Sequence, residues 1–249
     1  MLVKALIIAF SMYSRIPVPK VEWSERNMRY VFCFFPFVGA VIGAVILTLG
    51  KYLMYINTSP LLFGCIMSTV PLLITGGIHF DGFLDTLDGI HSYVDKEKRL
   101  QILKDPSCGA FAVMGGIVYF VLSVGFFSEI NEKALYIISF GYILSRALSG
   151  ISVVLFPMAK KQGLVSSFGN SADKVKVCVV MAVFIAAVTG VLIYIDVIIG
   201  ILMIVVSLIC FLYHYYNCMK NFGGITGDLA GYFLQICELA YLILNVIVK

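Results

Sequence analysis

Three aspartates stand together where an apolar stretch of the chain ends. Asp81, Asp85 and Asp88 follow Leu61–Ile78, a stretch of eighteen residues without a charged side chain. At about 100° of rotation per residue, the three carboxylates would share one face of a helix. Carboxylates held close together repel one another, so a cation between them would stabilise the arrangement. The pattern predicts a Mg²⁺ site, because Mg²⁺ binds carboxylate oxygens together with substrate phosphates. The alternative is a solvated acidic cap on a membrane helix.

The loop that follows supplies the opposite charge. Lys98, Arg99 and Lys104 are candidate partners for phosphate groups, although such a cluster also arises from the general bias of cytoplasmic loops towards basic residues. Asp105 then stands just before the next apolar run, where it would close a metal site across two helix ends. Metal and basic residues at a membrane surface together indicate phosphoryl transfer, a reaction that depends on positioning and charge neutralisation.

Other candidate ligands lie in short polar segments. Gly82 would let backbone or ligand approach the acidic motif closely. His79 and Arg15 are candidates for phosphate contacts, or else a helix cap and a membrane anchor. Asp228, with Gly227 in "GGITGDLAG", would be a metal or substrate ligand, or else a negative charge that suits the first turn of the last helix.

The composition indicates an integral membrane protein formed by one domain, residues 1–249. Hydrophobic residues make up 61% and charged residues 13% of the chain, and the mean hydropathy is +0.99. Leu2–Tyr13 is too short to cross a bilayer and would be an interfacial or re-entrant helix. Val177–Tyr216 is long enough for two crossings and would turn near Asp196. With that hairpin, the sequence predicts an all-α bundle of about seven spans, the others being Tyr30–Leu49, Leu61–Ile78, Ala110–Phe127, Ala134–Phe156 and Leu229–Val248.

The distribution of Lys and Arg orients these spans. Fourteen of them fall in the loops on one side and three on the other, with Arg146 inside a span. Cytoplasmic loops carry the excess of basic residues, so we expect a cytoplasmic N-terminus and an outer C-terminus. The long loops, including the acidic motif, then face the cytoplasm.

Two ionisable residues lie deep inside predicted spans. Arg146 and Glu238 would be about 16 Å and 14 Å from the cytoplasmic ends of their helices, at 1.5 Å per residue. Charges at such depth usually face the bundle interior and pair. We therefore expect them to neutralise each other, directly or through a polar group of a substrate.

The acidic motif "GGIHFDGFLDTLDGI" resembles that of the cobalamin synthase family, the adenosylcobinamide-GDP ribazoletransferases. The resemblance covers nearly the whole chain, in order. The other matching segments are "YSRIPVP", "FFPFVGAVIG", "RLQILKDPSCGAFA", "SRALSG", "PMAKKQGLVSSFG" and "GGITGDLAG" followed by Glu238. Lys160 and Lys161 depart from the family pattern, where an arginine is expected, and Lys cannot form the bidentate contact of Arg.

The resemblance implies an enzyme of the inner cell membrane. It would join adenosylcobinamide-GDP to α-ribazole or its 5′-phosphate and release GMP, with Mg²⁺ as cofactor. The implied catalytic residues are Asp81, Asp85 and Asp88, which with Asp105 would hold the metal, and one aspartate would take the hydroxyl proton. The implied substrate-binding residues are Arg15, His79, Gly82, Arg99, Lys104, Arg146, Lys160, Lys161, Gly227, Asp228 and Glu238. Expected partners are the lipid bilayer and other copies of the chain or other corrinoid enzymes of the membrane, but no nucleic acid.

Two other functions compete with this one. A phosphotransferase that acts on CDP-alcohol lipids would share the metal chemistry, but the A-R that accompanies D-x-x-D-G in such enzymes is absent here, where the order is D-G-x-x-D-T-x-D-G. A small transporter would place Arg146 and Glu238 on its permeation path. Against a transporter, the acidic cluster is peripheral and the inner loops are long.

Overall fold

The protein is built from helices. The computed structural model describes residues 1–159, 169 and 171–248, and within these residues the backbone forms no β-strand. A 3₁₀-helix spans Val31–Phe34, and a π-helix spans Cys218–Phe222. The α-helices are α1 (Leu2–Tyr13), α2 (Glu25–Met28), α3 (Phe35–Tyr55), α4 (Pro60–Thr75), α5 (Ile78–His91), α6 (Lys96–Ile102), α7 (Ala110–Phe127), α8 (Glu132–Leu155), α9 (Lys174–Ile195), α10 (Val197–Asn217) and α11 (Gly227–Ile247).

Six of the described helices are long and apolar enough to cross a membrane, namely α3 with its 3₁₀ turn, α7, α8, α9, α10 with its π-helix, and α11. Helix α8 is the most buried of them and packs against α3, α9 and α11, so it forms the centre of the bundle. Helices α7 and α9 expose most of their apolar side chains, as expected for helices that face lipid. The all-α membrane bundle predicted from the sequence is confirmed.

The second predicted span is broken. Helix α4 ends at Thr75, and α5 leaves it at an angle of 98°. Gly76 and Gly77 form the bend with φ angles of 64° and 82°, in the left-handed region that favours glycine. The prediction of one helix through Ile78 is therefore wrong, because the apolar pattern continues across two residues at which the backbone turns by about a right angle. The count of about seven spans holds when α4 and α5 are taken together as one bent span.

Two other predictions about the helices are confirmed. The long apolar stretch is a hairpin that turns at Asp196, between α9 and α10. The carboxylate of Asp196 accepts a hydrogen bond from the Ile199 N–H (2.9 Å) and forms an ion pair with the Lys133 ammonium (2.7 Å). This cap satisfies the first free N–H groups of α10. The N-terminal segment forms the short helix α1, as expected.

Candidate active site

The site is built where α5 crosses the first turns of α11. A Cβ at Gly82 would lie 2.7 Å from the Asp228 Cα, and a Cβ at Gly231 would lie 2.8 Å from the His79 carbonyl oxygen. Side chains at either position would force the helices apart. The two glycines thus let the backbones touch, and Asp228 comes to lie beside the aspartates of α5. The sequence analysis placed the acidic motif at the end of a span, but the structure places it on this separate helix.

The neighbouring carboxylates act on Asp85. Asp81 is exposed, whereas Asp85 and Asp228 are half-buried. Burial, which has the largest effect, and three nearby carboxylates together raise the pKa of the Asp85 carboxyl to about 7. In decreasing order of effect these belong to Asp81, Asp228 and Asp88. Negative charge is therefore concentrated around Asp85, and a bound cation would relieve it.

Asp88 already has partners within the fold. Its Oδ2 accepts a hydrogen bond from the Gly109 N–H (2.6 Å), and its Oδ1 accepts one from the Ala112 N–H (2.8 Å). These donors lie in the first turn of α7, whose N–H groups lack partners within the helix. Asp88 therefore caps α7 and ties it to α5, and both of its oxygens are used in doing so.

Asp105 lies in the loop between α6 and α7. Its Oδ1 accepts a hydrogen bond from the Ser107 N–H (2.8 Å), and hydrogen bonds with Ser107 hold the pKa of this exposed carboxyl below its usual value. The carboxylates that act on Asp85 do not include it. In the structure Asp228, rather than Asp105, is the carboxylate that joins Asp81, Asp85 and Asp88, and a role for Asp105 in a metal site stays a prediction.

The predicted basic residues are spread around this face. Arg99, on α6, donates a hydrogen bond to the side-chain oxygen of Asn221 in the π-helix. Lys104 is exposed beyond the end of α6. Lys160 and Lys161 lie outside the described residues. Of these residues, Arg99 lies on a helix that packs against both α5 and the π-helix.

Arg15 and His79 lie at the bend between α4 and α5. The Arg15 N–H donates to the Ile74 carbonyl (2.7 Å), and the Arg15 side chain covers Gly76. His79 is buried, with its ring stacked on Tyr13 at 5.8 Å between centroids. Both residues thus stabilise the start of α5, and their predicted contacts with substrate remain predictions.

The N-terminus of α11 presents the predicted pair Gly227 and Asp228. The hydroxyl of Thr226 accepts a hydrogen bond from the Leu229 N–H (3.2 Å) and donates one to Asp228 Oδ2 (3.4 Å). This cap fixes the first turn of α11, with Gly227 exposed at its start. The side chain of Asp228 is thereby oriented beside α5.

The carboxylates around Asp85 fit a Mg²⁺ ion bound together with a substrate. In the described part of the chain, no three His, Cys, Asp or Glu side chains are arranged to close around a metal by themselves. Mg²⁺ is usually bound through one or two carboxylates, with substrate phosphates and water supplying the other ligands. Asp81, Asp85 and Asp228 provide hard oxygen ligands of this kind, whereas the oxygens of Asp88 are engaged in capping α7.

The predicted pairing of Arg146 with Glu238 is confirmed. The Arg146 Nη1 forms an ion pair with Glu238 Oε1, and their side chains are 0% and 6% exposed. The Ser145 hydroxyl donates to the same oxygen (3.1 Å), and the guanidinium lies 5.3 Å from the centre of the Tyr142 ring. The pair joins α8 to α11 inside the bundle.

Comparison with known proteins decides the family. The family model described as Cobalamin-5-phosphate synthase matches residues 5–246, nearly the whole chain. The chain belongs to the cobalamin-5-phosphate synthase family. Proteins named adenosylcobinamide-GDP ribazoletransferase are among its relatives. One from Lachnoclostridium phytofermentans is 44% identical over 94% of this chain and 90% of its own. One from Clostridium botulinum is 34% identical over 96% and 95%, and one from Fusobacterium nucleatum is 30% identical over 98% of each. No solved structure matches significantly.

This member of the cobalamin-5-phosphate synthase family also has polar partners that the sequence analysis did not identify. Asn221 binds Arg99, and Tyr142 and Ser145 complete the surroundings of Arg146. Ser145 directly precedes Arg146, a spacing that does not by itself predict a contact, whereas Tyr142 stands one helical turn before Arg146, a spacing that places it near the Arg146 side chain. Asn221 gave no such signal, because it meets Arg99 only through the packing of α6 on the π-helix.

Proposed function

We propose that this chain is an adenosylcobinamide-GDP ribazoletransferase that uses Mg²⁺ at the cytoplasmic face of the inner membrane. The names of its relatives and its membership of the family support the reaction. The observation that carries the site is the crossing of α5 and α11, which brings Asp228 beside Asp81 and Asp85. The excess of Lys and Arg in the loops on that side supports the cytoplasmic assignment.

In the proposed reaction, a ribose hydroxyl of α-ribazole other than the 5′-hydroxyl attacks the phosphorus that is attached to cobinamide, so that α-ribazole 5′-phosphate can react in the same way. A new phosphorus–oxygen bond forms, and the bond from that phosphorus to the bridging oxygen of the pyrophosphate breaks. GMP leaves with the bonding electrons, and the hydroxyl proton passes to a carboxylate. The product is adenosylcobalamin, or its phosphate when α-ribazole 5′-phosphate is the acceptor. No redox change occurs.

Some of these residues would bind the metal and the proton, and others position the helices or attract the nucleotide. Asp81, Asp85 and Asp228 would hold Mg²⁺, which when bound neutralises the pyrophosphate and the leaving phosphate. One of these carboxylates takes the hydroxyl proton. Asp88 keeps α5 and α7 together through its two hydrogen bonds, and Arg99 and Lys104 attract the anionic nucleotide to this face.

GMP release by the purified protein in detergent, with and without α-ribazole, tests this function. Wild type should release GMP from adenosylcobinamide-GDP only when α-ribazole and Mg²⁺ are present. Asp85→Asn should lower kcat by about a hundredfold, as expected for the loss of about 3 kcal/mol of charge stabilisation. More Mg²⁺ should restore part of the rate if metal affinity is the defect.

Asp95→Asn is the matched control. Asp95 lies near the same face, is exposed, and caps α6 by accepting a hydrogen bond from the Lys98 N–H (2.9 Å). Asn also caps helices well, so this variant loses one negative charge while the local structure remains. Its rate should stay near that of wild type. Equal rates for Asp85→Asn and Asp95→Asn, or wild-type turnover in EDTA, would refute the proposed metal site.

A further inference from the structure

A small cavity lies inside the bundle beneath the helix that carries the aspartates. It is lined by α4, α5, α7, α8 and α11 and has a volume of about 30 Å³. A cavity of this size holds about two water molecules, or a polar group of about three heavy atoms. Its walls are partly polar, since Arg146, Gln235 and Glu238 line it together with Ser68 and Ser123. An apolar cavity stays dry, but one lined in this way favours a hydrogen-bonding occupant.

Arg146 presents two hydrogen-bond donors that the protein leaves without an acceptor. Its Nη1 pairs with Glu238 Oε1 and the Ser145 hydroxyl. Its Nε and Nη2 are buried, and no described atom accepts a hydrogen bond from either. Buried donors nearly always have partners, so these two indicate an acceptor that the chain does not itself supply. Arg146 lines the cavity, which is where such an acceptor would lie.

The charges and geometry favour an uncharged acceptor with donors of its own. Glu238 already balances the charge of Arg146, so an anion in the cavity would be left without a counter-charge. The Nε and Nη2 donors of a guanidinium are parallel, and a carbonyl oxygen has two lone pairs to accept from both. The side-chain oxygens of Gln235 and Glu238 could accept from N–H groups beside that carbonyl. A primary carboxamide has this combination of groups.

We propose that this cavity is a subsite for one carboxamide arm of the corrinoid substrate. The proposal rests on the proposed function, since it adds a contact to the same substrate. The cavity is close to the acidic motif, because Phe80, which lines it, directly precedes Asp81. Gln235 follows Asp228 by seven residues on α11, a distance of about 10 Å along the helix axis. An amide arm that extends from the corrin ring would cover this distance while the pyrophosphate lies at the carboxylates.

Filling the cavity tests the subsite. Ser68 lines the cavity, is 7% exposed, and donates its hydroxyl only to the Cys65 carbonyl of its own helix (3.0 Å). Ser68→Val should therefore reduce the volume without stranding a polar group. We expect KM for adenosylcobinamide-GDP to rise about tenfold, the effect of a misplaced methyl group in a binding pocket. KM for α-ribazole should not change.

Ser139→Val is the matched control. Ser139 is 6% exposed, bonds in the same way to the Leu135 carbonyl (2.7 Å), and does not line the cavity. Its KM for both substrates should equal that of wild type. Thermal unfolding in detergent shows whether each variant is folded at the assay temperature. If folded Ser68→Val and Ser139→Val have the same KM for adenosylcobinamide-GDP, the cavity contains only water and the proposal is wrong.

Formamide provides a test on the wild-type protein, which does not depend on folding of a variant. It is a carboxamide of three heavy atoms, so it should inhibit GMP release competitively with adenosylcobinamide-GDP but not with α-ribazole. Ser68→Val should be less sensitive to formamide than Ser139→Val. Inhibition that is equal in both variants would contradict the subsite. If wild type releases no GMP at all, the proposed function fails, whereas turnover with unchanged KM in Ser68→Val removes only the subsite.

Discussion

Neutralising one member of the buried Arg146–Glu238 pair should destabilise the protein strongly. In Glu238→Gln, the shape of the side chain is kept and the negative charge is lost. The guanidinium of Arg146, which is 0% exposed, would then keep its charge without a counter-ion. The Ser145 hydroxyl and the Tyr142 ring would remain beside it. Neither can replace a carboxylate.

The expected magnitude follows from that burial. Removing one partner of a buried ion pair costs about 3–5 kcal/mol, because an uncompensated charge is left in a low-dielectric interior. For a chain of this length, 1 kcal/mol corresponds to a shift in Tm of about 2–4 °C. The melting temperature of Glu238→Gln should therefore fall by roughly 6–20 °C. The double variant Arg146→Gln/Glu238→Gln removes both charges and should recover a large part of that loss.

Circular dichroism at increasing temperature in one detergent gives the melting temperatures of wild type, Arg146→Gln, Glu238→Gln and the double variant, which together form a double-mutant cycle. The ion pair Lys133–Asp196 is a control, since its side chains are 49% and 22% exposed. Lys133→Gln should shift Tm much less than Glu238→Gln, because exposed pairs contribute little. The reasoning is refuted if the double variant melts as low as the sum of the two single losses predicts, since the two residues would then be independent.

Two other substitutions test how the site is positioned. Gly82→Ala should lower kcat by about a hundredfold, because the added Cβ would push Asp228 away from α5, and a displacement of about 1 Å can reduce the rate that much. Gly125→Ala is the control and should retain the wild-type kcat, since a Cβ at this position meets no atom within 4 Å. Asp88→Asn should lower the stability of the protein by about 1 kcal/mol, measured by thermal unfolding, because the N-terminus of α7 loses a charged cap. Its kcat at saturating Mg²⁺ should fall less than that of Asp85→Asn, and an equal fall would show that Asp88 acts in the chemistry as well.

The features that could be predicted from the sequence depend on local pattern. The turn at Asp196 follows from the length of an apolar stretch that exceeds one bilayer crossing. The Arg146–Glu238 pair follows from the similar distances of the two residues from the cytoplasmic ends of their helices, because opposite charges buried at one level of the bundle stabilise each other. In both cases the position of a residue along the chain determines its position across the membrane, so the prediction does not depend on how the helices pack.

The arrangement of the carboxylates depends instead on how the helices meet. The bend at Gly76 and Gly77 was not predicted, since the apolar pattern runs on past it to Ile78. The cap that Asp88 forms on α7 involves residues 21 and 24 positions further along the chain. The approach of Asp228 to α5 depends on the crossing at Gly82. Spacing along one helix places Asp81, Asp85 and Asp88 on a common face, but it does not show which oxygens other helices have already engaged.

Helix α11 carries both Asp228, at the site, and Glu238, in the pair inside the bundle. The interval of ten positions from Asp228 to Glu238 spans about 15 Å of one continuous helix, with a rotation of about 100° per residue. Inserting or deleting one residue in this interval would turn one carboxylate away from its partners by about that angle. The length of this interval should thus be as restricted as the identities of its two ends. An aligned set of family sequences should show insertions in the loops around α11 but none between these two positions.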